Sequence, residues 1–441
     1  MKKARRASGD VDVTRRELLR KALALPLVAN LPPALSSLVA AGDSEPLHRS
    51  APHVAVVGAG AFGGWTALSL RRLGARVTLF DAWGAGNSRA SSGGETRVIR
   101  GLYGDRRVYV DMAARSLLLW RENEKRLGIV GDGRLYRRTG LLWMFQDDDS
   151  YARASLSFMR EARLVVHELT LEKARRRFPQ VDFDGVRSVF LEEEAGFLKA
   201  REACEAVRAA FVAEGGEYRV SAVTPNAVAG GEIASVRLSD GTAFRADRFV
   251  FACGPWLGKL FPDVVGELIR PTRQEVFFFG VPAGDRQFSE DRFPAWVDFA
   301  DRLFYGIPGN ERRGFKVADD THGEAADPST MERLPTAEGL ERARSFLGKR
   351  FPLLGNAPLL EARVCQYENT PDSHFIIDNH PTAANVWLVG GGSGHGFKMG
   401  PAVGEHVASL VLDTEKRRKE FSLARFARSG KVGSIQPPSR I

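Results

Sequence analysis

His53-Val54-Ala55-Val56-Val57 runs directly into Gly58-Ala59-Gly60-Ala61-Phe62-Gly63, and 21 residues after Gly60 stands Asp81, closing the run Arg76-Val77-Thr78-Leu79-Phe80. The first segment is apolar and β-branched, the pattern of a strand buried in a parallel sheet. Each glycine then has its own reason. Gly58 permits a tight turn, Gly60 lets backbone approach a pyrophosphate, and Gly63 lets helix and strand pack closely. Ala61, Trp65 and Leu68 lie at helical core spacing, so the helix that follows aims its N-terminal amides and positive dipole end at phosphates. Gly74 is a helix stop. Asp81 sits where a carboxylate accepts hydrogen bonds from ribose hydroxyls. Together these parts predict a nucleotide cofactor, and because flavin and nicotinamide share the adenosine end, both remain open at this point.

Two later segments repeat the strand-to-glycine character. Arg248-Phe249-Val250-Phe251-Ala252-Cys253-Gly254 follows the hairpin signal Leu238-Ser239-Asp240-Gly241-Thr242. Val386-Trp387-Leu388-Val389 enters Gly390-Gly391-Gly392-Ser393-Gly394-His395-Gly396, then a helix from about Pro401 to Leu412. Alternating apolar residues over Leu141 to Phe145 and Glu275 to Gly280 predict a separate antiparallel sheet that closes over the ligand. The expected fold class is α/β plus α+β, a Rossmann-type nucleotide domain interleaved with an antiparallel-sheet substrate domain. Residues 53–136, 196–262 and 362–412 are assigned to the first and 137–195 and 263–361 to the second, with 1–49 a signal and linker and 413–441 a basic tail.

The chain has 441 residues, 44% hydrophobic and 27% charged, an ordinary soluble-enzyme composition. Of the formal charge of +9, residues 1–49 carry +4 and residues 416–441 carry +7, leaving 50–415 at −2. A basic surface for nucleic acid is therefore not expected. The run Lys416-Arg417-Arg418-Lys419 reads as a solvated helix end. Cys204, Cys253 and Cys365 have neither disulfide-framework nor metal-ligand spacing, so no metal site is expected. At the N-terminus, Thr14-Arg15-Arg16-Glu17-Leu18-Leu19-Arg20 precedes an apolar stretch from Ala22 to Ala29 and small residues around Val39-Ala40-Ala41-Gly42. That order predicts a twin-arginine-type signal and export to the periplasm or beyond. Pro26, Asn30, Pro32 and Pro33 interrupt the apolar run, so no integral span is expected.

Gly94-Glu95-Thr96-Arg97-Val98-Ile99-Arg100, Tyr305-Gly306-Ile307-Pro308, Gly314-Phe315-Lys316, Cys365-Gln366-Tyr367 with His374-Phe375-Ile376-Ile377-Asp378, and Ser393-Gly394-His395-Gly396-Phe397-Lys398 add to Asp81 a set far more specific than the glycine turn. The chain resembles the flavoprotein amine oxidases typified by monomeric sarcosine oxidase and N-methyltryptophan oxidase, from about Val54 to about Leu412. The resemblance implies a D-amino-acid-oxidase-like fold and FAD in place of nicotinamide, bound covalently through Cys365. It implies cofactor contacts from Gly58, Gly60, Gly63, Asp81, Ser88, Val223, Gly394, Gly396, Phe397 and Lys398. Lys316 matches a lysine over the flavin associated with oxygen activation, Arg97 matches a flavin-site arginine, and Tyr305 and Tyr367 match active-site aromatics. Arg100 and Lys398 match the two cations that hold a substrate carboxylate.

The departures fall in the substrate pocket, where two family histidines align with Gly93 and Asp320. Glycine is expected to enlarge the space, and Asp320 either to receive a cation on the substrate or to raise a neighbour's pKa. His395 reads as a turn residue packing beneath the cofactor. The implied reaction takes a hydride from the carbon bonded to an amine nitrogen, yields an imine and reduces O2 to H2O2, in a monomer acting on a small amine or amino acid. Two rivals are an exported amine dehydrogenase using another electron acceptor and a flavin-binding interaction protein without turnover.

Overall fold

The computed structural model describes residues 51–427. The proposed export signal and residues 428–441 of the tail lie outside them. β1, His53–Val57, is buried at every position and lies between β2, Arg76–Asp81, and the strand Arg248–Phe251. The six-stranded sheet runs 376–380, 383–390, 248–251, 53–57, 76–81, 217–220 in spatial order. All neighbours are parallel except the hairpin 376–380/383–390. Between β1 and β2 runs α1, Ala61–Arg72, with nine buried positions. The later glycine turn leads into a helix at Gly400–Val411, which packs on α1 so closely that a Cβ on Gly404 would meet Trp65 backbone at 2.6 Å. Only glycine permits that approach, and it fixes where the second turn ends.

The second sheet has eight strands, in the order 359–369, 270–279, 315–319, 303–307, 295–299, 141–145, 188–192, 166–169. It departs from the antiparallel expectation at one pair: 295–299 and 141–145 run parallel, from Ala295 opposite Leu141 to Phe299 opposite Phe145. Parallel neighbours need a long crossover, and residues 146–294 supply it. A three-stranded antiparallel sheet of 96–99, 196–199 and 136–137 carries Arg97.

Two boundaries differ from the sequence reading. Residues 362–369, assigned to the nucleotide domain, lie in strand Leu359–Asn369 of the eight-stranded sheet, which pairs with 270–279 along a ladder from Arg270/Asn369 to Phe279/Leu359. Cys365 is therefore on the substrate-side sheet, and the chain rejoins the nucleotide sheet at Ile376. The tail from 413 is also partly built into the fold. Lys416, Arg417 and Lys419 are exposed as expected, but Phe421 is fully buried against Tyr109, Phe375 and His406. Arg425 pairs with Asp372 at 2.8 Å, and Ser422 Oγ and the Leu423 N–H both donate to Asp378 at 2.8 Å.

Candidate active site

The glycine turn opens on a cleft of about 1350 Å³, open solvent included. Gly58 has φ +102° and a Cβ there would sit 2.3 Å from the Ala252 carbonyl oxygen, so no other residue fits. A Cβ on Gly63 would lie 1.9 Å from the Gly58 oxygen, which makes it a packing glycine outside the lining. Asp81 is clamped at the end of β2: the Ala59 N–H donates to Oδ2 at 2.8 Å and the Trp83 N–H to Oδ1 at 2.9 Å. Burial raises its carboxyl pKa. The Ala61 N–H at the start of α1 donates to Ser92 Oγ at 3.1 Å, and no acidic side chain occupies that first turn. Val223, Gly394, Gly396 and Phe397 line the same cleft.

Whether this space suits FAD can be judged from its polar groups. Ser91 Oγ, Gln366 Oε1 and Glu368 Oε2 are buried in the lining without hydrogen-bond partners among the described residues. Such orphans are costly unless a ligand meets them, and a cofactor with ribityl hydroxyls, phosphates and a polar ring edge supplies partners of the needed kind. Glu368 is pushed up to about 7 by burial. The residues fit the group. Neither Ser91, Ser92 nor Glu368 was among the sequence candidates. Ser91 and Ser92 adjoin the Gly93-Gly94 signal, and Glu368 lies one residue past the Cys365-Gln366-Tyr367 segment.

Two expected contacts lie outside the linings. Ser88 is exposed and outside the lining, because the Asn87 side chain accepts from the Arg89 and Ala90 N–H groups and donates to Gly84, turning that residue outward. Gly93 does not widen the substrate pocket. It is buried in the loop, where a Cβ would meet the Asn87 oxygen at 1.8 Å, and its carbonyl accepts from Arg201 at 3.0 Å.

A second cavity shares Arg97, Tyr367, Gly394 and Phe397 with the cleft. Arg100 and Lys398 line it. The Arg100 guanidinium lies 4.2 Å over the Tyr103 ring and donates to Tyr151 Oη at 3.1 Å. Lys398 Nζ donates to Tyr103 Oη at 2.9 Å and to the His395 carbonyl at 2.8 Å, and burial followed by the nearby Arg100 charge holds its pKa far below the usual lysine range. Neither makes an ion pair among the described residues. Trp143, Val98, Val297 and Leu303 form an apolar wall. Trp143 had been read only as part of a strand; its Nε1–H donates to buried Glu192 at 2.7 Å, and Glu192 accepts the Gly101 N–H at 2.7 Å, which steadies the backbone next to Arg100.

Opposite in chemistry is Asp320, whose Oδ1 accepts from Tyr367 Oη at 2.5 Å. Tyr305 lines the same cavity. Lys316 is buried behind that lining. Its Nζ donates to the Thr96 carbonyl at 3.0 Å and sits 5.4 Å from the Tyr305 ring, and burial together with the Arg97 charge pushes it down to about 7. Arg97 donates to Cys365 Sγ at 3.2 Å, and that sulfur lies 3.7 Å from the Ser91 carbonyl, so the thiol abuts two cleft-lining residues. Cys204 is buried and pushed up to about 12, whereas Cys253 lines the cleft with its thiol 3.5 Å from the Val57 carbonyl. His395 is buried and held neutral by burial, with Nε2 3.0 Å from the Ser373 carbonyl and its ring stacked on Phe375.

A Rossmann sheet carrying a dinucleotide cleft, joined through shared walls to a second, polar cavity, defines a nucleotide-dependent redox enzyme that acts on a small molecule. Residues 53–410 match the model of the family described as FAD dependent oxidoreductase, and the chain belongs to that family. It is 30% identical over 391 residues to monomeric sarcosine oxidase from Bacillus sp., covering 87% of this chain and 97% of that enzyme. It is 26% identical to N-methyl-L-tryptophan oxidase from Salmonella dublin, covering 84% and 98%. Among solved structures, L-proline dehydrogenase from P. horikoshii shares the fold at a TM-score of 0.74 and 22% identity, over 86% of this chain and 98% of that one. Among the described residues no helix is long and apolar enough to cross a membrane.

Proposed function

We propose that this protein is an FAD-dependent oxidase of a secondary amine or amino acid, of the N-methyl or N-alkyl amino-acid type, that yields an imine and H2O2. The observation that carries the reading is the pair Arg100 and Lys398, buried basic side chains that form no ion pair among the described residues, in a cavity that shares four residues with the cofactor cleft. Bound FAD supplies a two-electron acceptor for the hydride of the carbon attached to nitrogen. The protein's own groups do the rest. Arg100 and Lys398 take a carboxylate out of water with charge-assisted hydrogen bonds. Trp143, Val98, Val297 and Leu303 exclude water and receive the side chain or N-alkyl group. Lys316 places a cation near Arg97, where negative charge must be stabilised on reoxidation by oxygen. Cys365, with Arg97 at its sulfur, carries the covalent bond to the cofactor. Residues 1–49 direct export, and the enzyme works as a monomer.

The test is anaerobic reduction of the purified flavoprotein by sarcosine, N-methyl-L-tryptophan, L-proline and a simple amine without a carboxylate, followed by admission of air. The expected result is bleaching by a carboxylate-bearing secondary amine and stoichiometric peroxide on reoxidation. Bleaching without oxygen uptake favours the dehydrogenase instead. No bleaching by any amine refutes the proposal.

A further inference from the structure

Asp320 is the one carboxylate in the lining of the substrate cavity. It follows the strand Phe315–Asp319, and its backbone N–H donates to the Leu303 carbonyl at 2.8 Å, which fixes the residue at the cavity edge. Tyr367 occupies Oδ1, while Oδ2 has no hydrogen-bond partner among the described residues. Arg100 and Lys398 line the same cavity and both lower the Asp320 carboxyl pKa, but among the described residues neither forms an ion pair with it. The neighbouring Asp319 is engaged elsewhere, with Arg302 and with Arg342 at 3.8 Å. His322 packs 6.1 Å from the Tyr367 ring and is kept neutral by burial. Tyr305, on the adjoining strand, is held protonated by burial, and Lys316 lies on the preceding strand. The cavity thus brings together two basic side chains and a carboxylate with a free oxygen.

That polarity matches a zwitterion. An amino acid with its carboxylate on Arg100 and Lys398 turns its ammonium toward Asp320. The ammonium has no nitrogen lone pair, and the C–N oxidation needs one to form the imine as the hydride leaves. We propose that Asp320, aligned by Tyr367, is the proton acceptor that converts the bound ammonium to the free amine before oxidation. The inference rests on the amine reading above. In the step, one N–H bond breaks, its electron pair stays on nitrogen, and an O–H bond forms on Asp320 Oδ2; the proton later passes to water. The groups around Asp320 suit this use. Burial pushes its carboxyl up to about 6 against the lowering effects of the Tyr367 hydrogen bond, Arg100 and Lys398, so it is ionised at neutral pH yet a stronger base than an exposed aspartate. The same two cations make the ammonium more acidic, narrowing the gap between donor and acceptor.

The test is the pH dependence of the anaerobic reduction rate of the holoenzyme, with whichever of sarcosine and N-methyl-L-tryptophan bleaches it faster, over pH 5–10. The wild type is expected to gain activity through an acidic limb near pH 6 and to stay active at pH 7. Asp320→Asn should lose that limb and react only as the free amine becomes available, falling by up to about 1000-fold at pH 7 and recovering toward pH 10, given an ammonium pKa of about 10. Tyr367→Phe removes a hydrogen bond that favours the carboxylate, so its limb should move to higher pH. A merely structural role for either residue leaves the limb in place. Superimposable wild-type and Asp320→Asn profiles overturn the inference alone. Absence of wild-type reduction at every pH overturns the amine reading and the inference with it.

Discussion

Replacing Lys316 by methionine should make the protein more stable and a poorer oxidase at once. Lys316 is 2% exposed and its ammonium, ordinarily near 10.5, is pushed down to about 7 by burial and by Arg97. At about 1.36 kcal/mol per tenfold, holding that charge in the fold costs at most about 5 kcal/mol. Because the folded pKa lies below the unfolded one, the unfolded chain binds more protons between pH 7 and 10.5, and wild-type stability rises with pH across that window. The full penalty therefore applies below pH 7 and is gone by about pH 10.5. Methionine keeps most of the packing and carries no charge. The loss is one hydrogen bond to the Thr96 carbonyl, about 1 kcal/mol, and that oxygen still accepts from Arg97 Nη1 at 2.8 Å. Relaxation of the charged form reduces the ceiling further, so the net gain expected at pH 6 is about 1–4 kcal/mol. Chemical denaturation of flavin-free wild type and Lys316→Met at pH 6, 8 and 10 measures it, and the gap should close as pH rises. In parallel, flavin reoxidation by oxygen should slow by about 100-fold or more, with substrate reduction much less affected. A variant less stable than wild type at pH 6, or a gap independent of pH, refutes the reasoning.

Acid precipitation of the holoenzyme should leave the flavin in the pellet, whereas Cys365→Ala should release it to the supernatant; free flavin from the wild type rules out the sulfur bond. Gly58→Ala forces a side chain into φ +102° with its Cβ 2.3 Å from the Ala252 oxygen. It should cost more than about 2 kcal/mol of stability and abolish flavin retention, read by melting temperature and the absorbance ratio of flavin to protein. Arg100→Gln and Lys398→Met should each weaken substrate binding by about 10- to 100-fold, the value of one charge-assisted hydrogen bond. Both should affect a carboxylate-free amine far less, as titration of the reduced and oxidised spectra will show.

The candidate site was legible in unequal parts. The cofactor turn was readable because most of its constraints are local: the positive φ of Gly58, the contact of Gly63 with the Gly58 oxygen and the Asp81 bond to the Ala59 N–H all lie within about 30 residues of chain. Arg97, Arg100, Lys316, Cys365 and Lys398 were reached through family resemblance, since nothing in their own neighbourhoods indicates that they converge. Gly93 was misread because residue type alone does not reveal whether the space beside a glycine is cavity or, as here, the Asn87 carbonyl. Ser88 failed for a similar reason, since one Asx turn decides which of two adjacent residues faces inward. Trp143 carried no signal at all; a buried tryptophan on a strand looks the same whether it fills a core or walls a cavity.

By itself, then, the sequence determined the Rossmann unit from β1 to β2 and the glycine turn before the helix 400–411, because strand periodicity, glycine torsion and helix polarity are written in consecutive residues. Only the tertiary structure decided that strand 359–369 leaves the nucleotide domain, through a backbone ladder with a strand about 90 residues earlier. It alone placed Asp320 against Tyr367 and brought both into one cavity lining with Arg100 and Lys398. Charges and lone pairs become a site when packing removes water from between them, and that depends on contacts hundreds of residues apart in the chain.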